Sequence, residues 1–243
     1  MRKQNKILAI IPARGNSKRC PGKNIANLCG KPLIAWTINA ALASRKIDKV
    51  IVSTDNANIA RIGKQYGADV PFMRPRVLAS SSARVIDAVI HAIRFFENIA
   101  TKYDIVALLQ PTSPLRTSYD IDNAIQLLCR RNVDSIVSVC RSECNPDWMY
   151  SRCPDGILER FFARKRNNVQ MQKVYRLNGA IYVSRVDYLL KKKTFNGAKT
   201  FAYVMPQERS VDIDTSFDFN YAAFLLNMKN SRKGVTVCTK KSE

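Results

Sequence analysis

Three short apolar runs limit what this chain can fold into. Ile7–Ile11, Val50–Val52 and Ile105–Leu109 are too brief for helices and apolar at every position, and each stops at polar or turn-forming residues: Pro12-Ala13-Arg14-Gly15, Ser53-Thr54-Asp55 and Gln110-Pro111-Thr112. A run that is apolar throughout, rather than alternating, belongs to a strand covered on both faces. Between the runs lie segments of helical spacing. One is Leu33, Ile34, Ile38, Ala41 and Leu42 after Pro32, and another is Asn56–Tyr66, stopped by Gly67. A third is Val85, Ala88, Val89, Ala92, Ile93 and Phe96, for which Ser80, Ser81 and Ser82 offer N-caps. Alternation of buried strands with amphipathic helices predicts an α/β fold with a largely parallel sheet and ligands outside the strands' carboxyl ends.

The same rhythm continues with a helix over 120–131 and a strand over 135–140. It breaks between Arg141 and about residue 175, where short strand-like pieces, the turn Pro154-Asp155-Gly156, a basic patch and the aromatics Trp148, Tyr150, Phe161 and Phe162 suggest an insertion suited to a subunit interface. Regular order returns with a strand over 178–184, a helix near 185–191, a strand over 201–205 and a last helix over 216–228. At 243 residues and 46% hydrophobic, the whole chain, 1–243, fits one domain carrying that insertion at about 141–175.

Composition narrows the function. No apolar stretch reaches the ~18 residues that span a bilayer, and the N-terminal apolar run is followed by cations rather than a cleavage site, so a soluble cytoplasmic protein is expected. Seven cysteines without a CxxC pair, and a single histidine, His91, argue against structural zinc and fit reduced thiols. His91 lies off its helix's apolar stripe and is expected at the surface or in a cap. The formal charge of +21 calls for an anionic partner. It exceeds what one small polyanion needs, yet no nucleic-acid recognition motif accompanies it, so no specific nucleic-acid partner is expected.

The sharpest signal follows the first strand. Arg14, Lys18, Arg19 and Lys23 stand within one loop with Gly15 and Gly22 and no acid among them. Backbone N–H groups and cations at a strand's carboxyl end make a phosphate cradle, although no P-loop GK[ST] follows. Near the other end, Val211-Asp212-Ile213-Asp214 places two carboxylates one residue apart, so an extended backbone points both to one side. Such a pair suits Mg²⁺, which keeps its remaining positions for water and substrate phosphates. Cradle and metal together are the two halves of a nucleotidyl-transfer site.

IPARGNSKRCPGKN, the Ser-Thr-Asp after the second strand, RPxxLA at 74–79, QPTSPLR at 110–116, RLNGAIY at 176–182 and VDIDT at 211–215 together resemble the CMP-sialic acid synthetases, or acylneuraminate cytidylyltransferases, from about Lys6 to Met228. The resemblance implies a Rossmann-like three-layer nucleotidyltransferase fold with a mainly parallel mixed sheet. It also implies a homodimer built through the insertion, and a reaction in which CTP and an acidic nine-carbon sugar give the CMP-sugar and pyrophosphate. By position it assigns the triphosphate to Arg14, Ser17, Lys18 and Lys23, with Gly15, Asn16, Asn24, Arg74 and Ser82 near the nucleotide. It assigns the sugar to Gln110, Pro111, Thr112, Ser113, Arg176 and Asn178, and Mg²⁺ to Asp212 and Asp214.

Three positions depart from the family pattern. Ser81 stands where an Asp is usual, Asn168-Val169 where an Arg-Gln pair is common, with Arg164 or Arg166 as candidate substitutes, and Asn145-Pro146 where His-Pro occurs. These leave the CTP half intact and the sugar open among sialic, legionaminic, pseudaminic and 3-deoxy-octulosonic acids. A non-catalytic polyanion-binding relative is the contrasting reading.

Overall fold

The computed structural model describes residues 5–17, 19–131, 133–161 and 173–232. Lys18, Phe162, Arg164, Arg166, Asn168 and Val169, singled out above, lie outside them.

In chain order the elements are β1 (Ile7–Pro12), a two-residue ladder of β2 (Asn27–Leu28) and β3 (Lys31–Pro32), α1 (Leu33–Leu42), β4 (Lys49–Ser53) and α2 (Ala57–Gln65). Then come α3 (Val85–Asn98), β5 (Ile105–Leu108), α4 (Ser118–Arg130), β6 (Ser135–Arg141) and a hairpin of β7 (Tyr150–Arg152) and β8 (Leu158–Arg160). β9 (Tyr175–Arg185), α5 (Val186–Lys192), β10 (Thr200–Val204) and α6 (Ser216–Arg232) complete it. The main sheet has the order β10-β6-β9-β5-β1-β4. β1 pairs parallel with both β4 and β5, and β6 with β10, while β9 runs antiparallel between β5 and β6. The sheet is therefore mixed through one strand alone.

Alternate residues of β1 supply two cores. Ile7, Ala9 and Ile11 pack with Ile34, Ile38, Ile121 and Ile125 from α1 and α4, while Leu8 and Ile10 pack with Val89, Ile93 and Phe96 from α3 and with Leu189 from α5. Helices on both faces explain why the run is apolar at every position. Because β4 and β5 flank β1 on opposite sides, their connections leave in opposite directions, and a crevice opens at the carboxyl end of β1. No helix among the described residues is long and apolar enough to cross a membrane.

Two local expectations change. Ser80, Ser81 and Ser82 do not cap α3: it starts at Val85 behind Arg84, and no side chain caps it. The 3-10 turn Arg76–Ala79 intervenes, and the serines fall in the turn after it. His91 is half-buried, edge-on to Phe72 at 4.7 Å, and its buried Nδ1 has no hydrogen-bond partner among the described residues, so it does not act as a cap.

The start of α4 is fixed by a capping box between Thr117 and Asp120. Asp120 is fully buried and also receives Arg209 Nε at 3.1 Å and a second Arg209 nitrogen at 2.8 Å, which ties α4 to the chain just before the twin acids. Burial pushes the Asp120 carboxyl up, but the bonds from Arg209 and Thr117 outweigh it and hold the group below the usual carboxylate range. A depressed folded pKa means stability that is present above the unfolded pKa of ~3.9 and lost as pH falls through the folded value. Asp120→Asn should therefore destabilise the fold by about 3 kcal/mol at pH 7. That deficit should shrink below about pH 4, as urea denaturation at the two pH values would show.

Candidate active site

The loop after β1 and the twin-acid segment meet over the crevice. Gly22, at φ 69°, turns the chain into a 3-10 turn that begins at Lys23, and the Lys23 side chain enters the protein. Its Nζ donates to Ile213 O at 2.6 Å and lies 3.2 Å from Asp214 Oδ1. Arg19 approaches the other oxygen, Asp214 Oδ2, at 3.0 Å. Asn24 Nδ2 donates to Arg14 O at 3.0 Å and so closes the base of the loop. The acid segment joins no strand, but it keeps the expected alternation. Val211 and Ile213 are buried in a satellite core with Leu28 and Leu33, and Asp212 and Asp214 face the crevice. One backbone bond, Ile213 N to Thr112 O at 2.8 Å, pins it to the loop after β5.

The resulting cavity is about 740 Å³, a size suited to a ligand of nucleotide dimensions. Its floor holds Arg14, Ser17, Arg19, Lys23 and Asn24, and its acidic side Asp212 and Asp214. Gln110, Pro111 and Thr112 form one wall, and Arg74, Leu78, Ser81, Ser82 and Arg84 from the connection between β4 and α3 form the other. Arg74 is buried, donating Nε to Ser53 Oγ at 3.1 Å and a terminal nitrogen to Ser53 O. Burial is the main reason its pKa falls to about 10, with Asp55 opposing, so it remains charged at neutral pH. Arg14 reaches across to Ser80 O at 3.0 Å, joining the floor to this wall.

Asp212 is the least satisfied group in the site. Its Oδ1 is buried and has no hydrogen-bond partner among the described residues. Burial foremost pushes its carboxyl up, Thr112 opposes this, and the neighbouring Asp214 adds to it. A buried carboxylate oxygen without a donor beside a second carboxylate is an oxygen-only site open to a hard cation. No group of three or more His, Cys, Asp or Glu that could hold an ion occurs among the described residues, so an ion here would draw its other ligands from water and a bound polyphosphate. On that donor chemistry the residues fit Mg²⁺.

Several expected residues stand elsewhere. Asn178 is fully buried, and its amide is committed to Ser210 Oγ at 2.9 Å and Ser138 Oγ at 2.6 Å, so it braces β9 instead of facing a sugar. Ser113 is likewise buried and donates to Asn178 O at 3.3 Å. Arg176 is exposed on the outer part of β9 opposite Cys140 and does not line the cavity. The Gly15 N–H donates to Asp55 Oδ1 at 2.8 Å, which commits it to the turn and away from a phosphate. Asn16 is exposed outside the cavity lining.

Two residues that sequence reasoning passed over shape the site. Arg116 is fully buried beneath the wall, donating to Gln110 O at 2.6 Å, to Thr37 Oγ1 and to Ala180 O. Burial lowers its pKa to about 9, with Asp120 and Asp212 opposing, so it too stays charged at neutral pH. Its signal was its place in QPTSPLR, behind the apolar Leu115 and two prolines, where a solvated arginine has little reason to be. Gly179, at φ 71°, brings β9 against the site: a methyl there would lie 2.8 Å from Gln110 Oε1 and 3.0 Å from Asp212 Oδ2.

Comparison with known proteins shows which sequences and structures the chain is similar to. The family described as "Cytidylyltransferase" matches residues 8–203. A CMP-N,N'-diacetyllegionaminic acid synthase of Legionella pneumophila is 38% identical over 226 residues, covering 92% of this chain and 97% of the relative. An N-acylneuraminate cytidylyltransferase of Escherichia coli is 38% identical over 233 residues, covering 95% of this chain and 54% of the relative. A pseudaminic acid cytidylyltransferase of Campylobacter jejuni is 30% identical, covering 93% and 98%. Among solved structures, a CMP:2-keto-3-deoxy-manno-octonic acid synthetase complexed with CTP superposes with a TM-score of 0.71 at 17% identity, covering 92% of this chain and 99% of that one.

Proposed function

The chain belongs to the cytidylyltransferase family, and from that premise we propose that it joins CMP from CTP to the anomeric hydroxyl of an acidic nine-carbon sugar of the nonulosonic class, releasing pyrophosphate. The observation that carries this reading is the junction of the cationic loop with the twin acids, Lys23 and Arg19 on Asp214, in a cavity whose other wall is polar and serine-rich. Relatives named for legionaminic, N-acylneuraminic and pseudaminic acids support the sugar class.

Arg14, Ser17 and Lys23 receive the triphosphate, and Asn24 holds the loop in shape beneath it. Lys18 stands beside them in the sequence. Charge builds on the pyrophosphate as it leaves, so fixed cations that need no reorganisation are the main catalytic term. Asp212 and Asp214 would hold Mg²⁺, which would supply neutralisation of phosphate charge. Leu78 and Val85, which line the same cavity, offer the nucleoside an apolar surface. Gln110-Pro111-Thr112 face the sugar, held rigid by two prolines above and Arg116 below. Arg176 lies outside the cavity, so the sugar carboxylate draws on the remaining lining cations, among them Arg84, which also pairs with Asp87 at 2.8 Å.

Assembly as a homodimer completes the proposal. The β7–β8 hairpin and the residues flanking it leave Trp148, Tyr150, Ile157 and Leu158 exposed, apolar surface that a second copy would cover. Replacing Leu158 and Trp148 together by Glu should convert a dimer to a monomer in light scattering after size exclusion, with thermal stability of the core little changed. A cytoplasmic location is part of the proposal, since CTP is its substrate.

The test is pyrophosphate release with CTP and a panel of N-acylneuraminic, legionaminic, pseudaminic and 3-deoxy-octulosonic acids. Release with CTP and one of the nine-carbon acids, and not with other triphosphates, is the expected result. No stimulation by any of them, together with salt-sensitive retention of RNA or DNA, would favour the polyanion-binding reading that the +21 charge suggests.

A further inference from the structure

Asp214 has both carboxylate oxygens engaged by cations: Lys23 at 3.2 Å on Oδ1 and Arg19 at 3.0 Å on Oδ2. The two cations differ in freedom. The Lys23 side chain is 11% exposed and anchored to Ile213 O, whereas that of Arg19 is 71% exposed and has no other ion pair among the described residues. Both line the same cavity as Asp212, whose buried Oδ1 has no donor among the described residues. A divalent cation entering alone would find one carboxylate ready and the other already neutralised, with two positive charges at its edge.

We infer that Arg19 is a positioning residue that works as a counter-charge latch: it holds Asp214 until a polyphosphate enters the cavity and draws the guanidinium away, so that metal and nucleotide bind with positive coupling. The inference rests on the proposed CTP- and Mg²⁺-dependent reaction and adds an order to it. Lys23, anchored by the backbone, stays beside Asp214, while Arg19 exchanges one anion for another within the same cavity. By linkage, the factor by which nucleotide tightens metal is the factor by which metal tightens nucleotide. The pair is partly exposed, which puts its worth at the lower end of such couplings.

The experiment is a Mn²⁺ titration of the full chain, read by the electron paramagnetic resonance of unbound Mn²⁺, with and without the non-reacting analogue α,β-methylene-CTP. Without nucleotide, Arg19→Ala should bind Mn²⁺ about 5- to 10-fold tighter than wild type, and its gain from the analogue should shrink by the same factor. Arg19→Lys, which keeps the charge, should stay close to wild type. Equal or weaker nucleotide-free Mn²⁺ binding by Arg19→Ala, with the analogue still promoting uptake in both proteins, overturns the latch alone. Absence of Mn²⁺ uptake in every state overturns the latch and the metal-dependent reaction together. The side chain is exposed, so its removal does not threaten folding.

Discussion

Asp212→Ala should lower kcat by about 10²- to 10³-fold while leaving the fold intact, the scale of loss seen when a group that stabilises developing transition-state charge is removed. The reasons are geometric. Asp212 Oδ1 is buried without a donor among the described residues, and the carboxyl is pushed up by that burial, a cost that Thr112 and Lys23 only partly offset. Removing the side chain should raise thermal stability slightly or leave it unchanged, because an unsatisfied buried acid goes with it. Steady-state kinetics with Mg²⁺ and CTP, alongside thermal denaturation, separates the two effects. Near-wild-type turnover would take Asp212 out of the site.

The second large effect concerns Arg116. Replacing it with Met preserves much of the side chain's volume but leaves Gln110 O, Thr37 Oγ1 and Ala180 O without their shared donor in a dry interior. Breaking a buried charged network of this kind costs about 3–5 kcal/mol. Arg116→Met should therefore lower the urea midpoint substantially. In the protein that remains folded, KM for the sugar should rise more than KM for CTP, because Gln110 and the loop it anchors stand on one wall while the phosphate floor is built from the loop after β1. Arg116→Lys should recover only part of the loss, since one ammonium cannot reach three acceptors in a planar fork. A variant with unaltered stability would show that the guanidinium is dispensable beneath that wall.

Much of the fold was legible because the apolar runs carry their own geometry. Ile7–Ile11 had to be covered on both faces, and Leu8 and Ile10 do pack opposite to Ile7, Ala9 and Ile11. The antiparallel insertion of β9 between β5 and β6 was not legible, because a strand buried on both faces reads the same in either direction. At the site, side-chain types at strand ends indicated the chemistry but not the orientation. Asn178 and Ser113 sit in the right motifs, yet their side chains turn inward to brace β9. Gly15 supplies the turn, while its N–H goes to Asp55, an acid 40 residues away in sequence that no local pattern connects to it. The Arg19–Asp214 contact joins the two ends of the chain, and only the folded sheet brings them together. The serines at 80–82 read as helix caps because capping chemistry and ligand-facing hydroxyls look alike until the turn preceding them is known.

The central claim is that the loop after β1 and the twin acids embrace one polyphosphate with a divalent ion at their junction. Crystals grown with Mn²⁺ and α,β-methylene-CTP and measured at the manganese absorption edge test it in a single map. One anomalous peak is expected in the crevice, in direct coordination of an Asp212 oxygen and of phosphate oxygens, with Lys23 and Arg14 against the same phosphates. A nucleotide bound away from Asp212 and Asp214, or a manganese peak remote from every phosphate, would contradict it.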